Sequence, residues 1–251
     1  MFSSTKALIF AAGRGERMRP LTDSTPKPLL MLGGKSLIVW QIEALARADF
    51  RDIIINTAWL GDKIEAAIGN GARWNVAIEY SREGCNAKDA LETRGGIVKA
   101  LDMLGQSPFI TVSSDVYTDY DYAKLRAPLA AIASGTVDAH FVLADNPIFN
   151  QAGDFAICNG FATRIATPDS PKQNFAGMCC WHPQLFADLP VTCERLFPWA
   201  DTFVTQQRVS AEYFSGCWEN IGTVAHLAHL EAQYRAFDTA TAIPQPRGAL
   251  K

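Results

Sequence analysis

The chain has 251 residues, 48 % of them hydrophobic, and sets 23 basic against 26 acidic side chains for a formal net charge of −3. That length supports a substantial core in one catalytic domain, expected over residues 1–237 with 238–251 as a C-terminal tail, and the balance of charge argues against a nucleic-acid surface. The six cysteines show neither CxxC pairs nor disulfide-scaffold density, and the apolar run at 7–12 is too short for a signal segment or membrane span, so the expectation is a cytoplasmic protein without structural zinc or a membrane partner.

Taken in chain order, short apolar, β-branched runs at 7–11, 53–57, 76–80, 109–112 and 139–143 read as strands. They alternate with helical patterns at 36–48, 61–68, 95–104 and 121–134. This alternation predicts an α/β fold with a doubly wound, mainly parallel, Rossmann-like sheet. In such sheets ligands bind outside the carboxyl ends of the strands, where Gly13 and Asp115 both fall. After about residue 145 the pattern changes to short strands (155–158, 162–166, 174–181, 209–214) and helices at 183–188, 199–207 and 223–236. We read this second half, about 146–237, as a small mixed β extension over the mouth of a sheet built from about 1–145.

Residues 8–30, LIFAAGRGERMRPLTDSTPKPLL, carry the chemistry. Gly13 and Gly15 let backbone N–H groups close on a phosphate, and Arg14, Arg17, Arg19 and Lys27 supply counter-charge. The dinucleotide fingerprint fails because Met18 stands at the third-glycine position, and no Walker sequence is present. Lys27 lies between Pro26 and Pro28, whose fixed φ angles pre-place its ammonium for a phosphoryl group. Asp115, in SSDVYTDYD (113–121), ends a buried strand, a position from which a carboxylate can hold Mg²⁺ across phosphate oxygens. Asp119 and Asp121 read as cap or surface residues. His226 and His229 have metal-compatible spacing but no third ligand.

The 8–30 segment resembles the sugar-1-phosphate nucleotidyltransferases, whose signature is LAAGxGxRMxPLTxxxPKPLL. INTAWLGDKI (55–64), the acidic motif at 113–121, GDF (153–155) and the 218–223 turn follow in the family's order, so the resemblance covers about residues 6–235. It implies a fold of nucleotide-diphospho-sugar transferase type, with a nucleotide half and a sugar-binding half. It also implies the reaction: an oxygen of a sugar 1-phosphate attacks the α-phosphorus of UTP and pyrophosphate leaves, with Mg²⁺ as cofactor and no covalent intermediate or general base. Arg17 would then hold the leaving phosphates, while Lys27 bridges the α-phosphate and the incoming phosphate. Ala11, Ala12, Gly13, Gly15 and Thr93 would line the nucleotide, Asp154 and Asn174 the sugar, and Asp115 with Asn220 the metal.

Departures from the family pattern are confined to the site. Asn220 stands where W-x-D-x-G-T carries a second aspartate, Arg94 replaces a glycine in LETGGG, Ser114 replaces the glycine of NGD, and the loop at 85–90 is longer. They leave open another base or acceptor, including phosphocholine, and a non-catalytic UDP-sugar-binding regulator. UTP and a sugar 1-phosphate are the expected partners, and the chain is expected to be a monomer or weak homodimer.

Overall fold

A computed structural model describes residues 5–241. Strand β1 (Lys6–Phe10) leads into a loop of three short 3-10 turns, followed by the small ladder of β2 (Met31–Leu32) and β3 (Lys35–Ser36), helix α1 (Leu37–Arg47), β4 (Asp52–Thr57), α2 (Gly61–Ile68), β5 (Ala77–Arg82), α3 (Glu92–Leu104) and β6 (Phe109–Ser113). Then come β7 (Val116–Thr118), α4 (Arg126–Ala133), β8 (Ala139–Ala144), β9 (Ala156–Cys158), β10 (Phe161–Thr163), β11 (Asn174–Trp181), α5 (Asp201–Thr205), β12 (Val209–Phe214), β13 (Trp218–Asn220) and α6 (Val224–Thr241). Among the described residues nine strands form one sheet in the order β5-β4-β1-β6-β11-β8-β12-β10-β9.

β1 is apolar without alternation because both of its faces are covered. Ala7 and Ile9 pack with α1, α2 and α4 on one side of the sheet, while Leu8 packs with α3, Phe109 and Trp181 on the other. β4 and β6 flank it in parallel, pairing Phe10 with both Asn56 and Ser113. That register brings three strand ends to nearly one level, so Ala11 and Ser114 leave the sheet beside the end of β4 at Thr57 and the loops that follow converge.

The strands of the second half do not roof the sheet's mouth as expected; they extend the sheet itself. β11 lies between β6 and β8, antiparallel to both, and β12 runs parallel to β8. The cause is burial on both faces, since Met178, Cys179, Cys180 and Trp181 are all inaccessible and such a run needs a central position. Separately, β13 pairs with β7, aligning Asn220 with Val116, and Ile221 N–H donates to Asp115 C=O at 3.0 Å. This ladder carries the 218–223 turn back to the end of β6. Gln41, buried in α1, donates to Val116 C=O and accepts from the Tyr122 hydroxyl, pinning the same turn.

Helix boundaries shift where local caps intervene. α3 starts at Glu92, so Thr93 and Arg94 occupy a first helical turn rather than a loop. α4 starts at Arg126 because Asp121 accepts from Ala123 N–H and caps a 3-10 turn first. The segment at 183–186 is likewise a 3-10 turn, and α6 runs to Thr241, past the expected start of the tail; residues 242–251 lie outside the described residues.

Candidate active site

A cleft of about 510 Å³ opens at the ends of β1 and β6, floored by the backbone of residues 11–15 and walled by Lys27, Asn56, Glu83, Thr93 and Asp115. Gly15 holds φ +68°, and a Cβ there would meet Lys27 and Thr22 at 3.1 Å, so only glycine makes this bend without strain. Gly13 has nothing within 4 Å of its missing side chain and faces open space through which a ligand can approach the backbone. Thr22 Oγ1 donates to Gly15 C=O at 2.9 Å and ties the loop back on itself.

The four basic residues of the loop separate by partner. Arg14 donates to Thr22 C=O (2.6 Å) and Asp23 Oδ1 (2.5 Å) and stacks on Trp59. Arg19 reaches the same Asp23 oxygen at 2.9 Å. The Arg14 hydrogen bond, aided by Arg19, holds the Asp23 carboxyl below the usual carboxylate range. Asp23 is therefore shared between Arg14 and Arg19 and offsets part of their charge inside the loop, while Arg14 also lines the cleft. Lys27 Nζ instead contacts Asp115 Oδ2 in the cleft, with the two side chains 12 % and 25 % exposed.

Arg17 is exposed and has no hydrogen-bond or acidic partner among the described residues. Its guanidinium packs over Gly222, where a Cβ would lie 3.2 Å from Nη2. It lines a second cavity of about 780 Å³ with Asn220, Glu219, Thr223 and His226. Arg17 thus does not share the cleft of Lys27 and Asp115: the glycine loop passes from one cavity to the other. Glu219 turns its carboxylate to His226 Nε2 at 3.0 Å, leaving Asn220 as the polar side chain of β13 nearest in register to Asp115.

Among the described residues no three His, Cys, Asp or Glu side chains form a metal cluster. The protein oxygens on offer to a cation here are a sparse set: the Asp115 carboxylate in the first cleft, and the Asn220 amide, whose register partner is Val116, in the second. That set suits Mg²⁺, which keeps its waters and binds through one or two protein ligands plus substrate phosphates.

Asp154 and Asn174 each have internal partners at the start of β11. Asp154 Oδ2 accepts from Phe175 N–H (2.8 Å) and Asn150 Nδ2 (3.0 Å). The buried Asn174 amide accepts from Asn150 Nδ2 at 2.9 Å and donates to Phe175 C=O, also at 2.9 Å. Neither lines either cavity; their polar atoms bond Phe175 backbone and the Asn150 side chain where the 145–155 loop joins β11.

Sequence reasoning missed Asn56 and Glu83. Ala11 N–H donates to Asn56 Oδ1 (2.7 Å), Asn56 Nδ2 to Glu83 Oε1 (2.6 Å), and Leu91 N–H to Glu83 Oε2 (2.7 Å). This chain links the first residue of the phosphate loop to the start of α3. Burial pushes the Glu83 carboxyl up, opposed by those two donated hydrogen bonds. The available signal was a polar Asn56 directly after the three isoleucines of β4. Arg94 turns away from the cleft toward Glu194, Ser114 N–H is bonded to Phe10 C=O, and Asp89 caps the longer 85–90 loop through Cys85 and Asn86 N–H.

A glycine-bent anion loop, a lysine and an aspartate brought together at the strand ends of an open α/β sheet define a nucleotidyl-transferring enzyme class. The chain belongs to the nucleotidyl transferase family, whose model matches residues 6–148. It is 40 % identical over 228 residues, 90 % of this chain and 97 % of the relative, to N-acetylmuramate alpha-1-phosphate uridylyltransferase of Neisseria meningitidis serogroup B. A protein of the same name from Caulobacter vibrioides is 28 % identical over 86 % of this chain and 91 % of its own. Among solved structures, HddC from Yersinia pseudotuberculosis complexed with GMP-PN superposes with a TM-score of 0.74 at 18 % identity, covering 92 % of this chain and 99 % of that one. This last likeness is one of fold. No helix among the described residues is long and apolar enough to cross a membrane.

Proposed function

We propose that the protein transfers uridylyl from UTP to N-acetylmuramate α-1-phosphate, giving UDP-N-acetylmuramate and pyrophosphate in the recycling of cell-wall sugar. The observation that carries the proposal is the juxtaposition of Lys27 and Asp115 at the lip of the glycine loop, together with near full-length similarity to two relatives of that name.

The reaction joins two anions in line, so the protein's work is positioning and charge neutralisation rather than proton transfer. The backbone of Ala11, Ala12, Gly13 and Gly15 lines the nucleotide, with Thr93 on the opposite wall. Lys27 donates to the α-phosphate and the attacking phosphate, drawing them together as charge builds between them. Arg17, which has no acidic partner among the described residues, lines the adjoining cavity and balances the leaving β,γ-phosphates where they extend past the glycine loop toward it. Asp115 and Asn220 would hold Mg²⁺, which supplies further neutralisation of the phosphate oxygens.

The test is pyrophosphate release from each of the four nucleoside triphosphates with N-acetylmuramate 1-phosphate and other sugar phosphates, in Mg²⁺. UTP with N-acetylmuramate 1-phosphate is the pair expected to turn over fastest. UTP binding with every sugar phosphate inert would overturn the catalytic reading in favour of a regulator.

A further inference from the structure

One wall of the first cleft comes from far along the chain. Residues 191–196 lie across the first turn of α3, where the N–H groups of Arg94 and Gly95 both donate to Glu194 C=O at 2.9 and 3.2 Å and Glu194 N–H donates back to Leu91 C=O at 3.0 Å. Leu196 N–H donates to Thr93 Oγ1 at 3.0 Å, and the Cys193 thiol donates to Ala90 C=O at 3.4 Å. The approach is so close that a Cβ on Gly95 would lie 2.0 Å from Thr192 C=O. Cys193, Thr93 and Glu92 line the cleft, and Glu92 holds φ +59°, a left-handed conformation that a non-glycine residue keeps only when its surroundings impose it.

The side chain of Arg94 does not enter the cleft. It is 18 % exposed, lies 3.6 Å from the Glu194 carboxylate and faces the Trp199 ring at 5.7 Å. The main-chain bonds of this strap are open to any residue at position 94, so what the arginine adds is a tie from the helix to Glu194 within the strap and to the Trp199 ring just beyond it.

We propose that Arg94 is a positioning residue for nucleotide binding: it clamps residues 191–196 onto the start of α3 and so fixes the wall formed by Thr93 and Cys193. The inference rests on the nucleotide reading of this cleft. A loosened strap moves the wall and relaxes Glu92, weakening UTP binding while leaving Lys27 and Asp115 in place for the chemical step.

The experiment uses the full chain with Cys85, Cys158 and Cys217, the other exposed cysteines, replaced by serine. Modification of Cys193 by a thiol-reactive disulfide is timed with and without UTP, UTP affinity is measured by calorimetry, and kcat by pyrophosphate release. In the parent, UTP should slow Cys193 modification. Arg94→Ala should raise the modification rate about fivefold and the Kd for UTP about tenfold with kcat nearly unchanged, and Arg94→Lys should recover part of both. Glu194→Gln, which keeps every main-chain bond, should show the same pattern and stands in if Arg94→Ala does not fold. Unchanged Cys193 reactivity and UTP affinity overturn the inference while UTP protection preserves the nucleotide reading. A fall in kcat at unchanged Kd also overturns it, since that would put Arg94 at the reacting phosphates. Failure of the parent to bind UTP overturns both.

Discussion

Replacing Lys27 by alanine separates catalysis from folding. The Lys27 ammonium pairs with Asp115, and at 12 % and 25 % exposure the pair lies between the surface and buried regimes. Deletion of one partner should therefore cost about 1–3 kcal/mol of stability, more than an exposed pair and less than a fully buried one. For a chain of this size that is a fall in Tm of roughly 2–12 °C, because each kcal/mol is worth about 2–4 °C. Loss of one pre-organised cation in the transition state should cost about 10²- to 10³-fold in kcat, or roughly 3–4 kcal/mol. The two quantities are read separately: Tm by scanning calorimetry, and kcat by pyrophosphate release at 25 °C, where a stability loss of this size leaves the protein folded. Asp115→Asn gives the comparison, since it removes the charge pair but leaves the lysine. A kcat within about fivefold of wild type, alongside the full loss of Tm, would assign Lys27 to the fold and refute the reasoning.

Asn220→Asp should lower the Mg²⁺ concentration for half-maximal activity by adding a carboxylate to the register neighbour of Val116; an unchanged Mg²⁺ titration would remove residue 220 from the coordination sphere. Asp154→Ala should cost about 1–3 kcal/mol by stranding Phe175 N–H, and leave KM for the sugar phosphate within twofold, as a denaturant titration beside steady-state kinetics will show. A selective rise in KM at unchanged stability would restore Asp154 as a sugar ligand. Glu83 has a folded-state pKa raised by burial above its ordinary 4.5, so folding favours its protonated form. Its contribution is full below pH 4.5 and is lost as pH rises through the folded value. The Tm of Glu83→Gln minus that of wild type should therefore be more favourable at pH 7.5 than near pH 4, and a difference independent of pH would contradict the assigned cause.

Residues adjacent in sequence determined the chemistry of this protein without help from the fold. The glycine bend, the lysine between prolines and the aspartate closing an apolar strand are legible because each depends on backbone freedom or periodicity within a few residues. The alternation of strands and helices in the first half is legible for the same reason, and it placed Gly13 and Asp115 at one edge of a sheet. Partnership is different, because it is decided by register between distant segments. Local reading counted Arg14 and Arg19 as counter-charge for phosphate, and the structure pairs both with Asp23; it gave Arg17 and Lys27 to different phosphates of one ligand, and the structure puts Arg17 over Gly222 in a neighbouring cavity. The bonds of Asp154 to Phe175 N–H and of Asn174 to Asn150 appear only where the 145–155 loop meets β11. Asn56 and Glu83, 27 residues apart, meet only because β4 and β5 pair in parallel. The placement of β11 inside the sheet and of the 191–196 strap over α3 likewise follows from burying apolar faces and satisfying backbone groups across long separations, which no local pattern encodes.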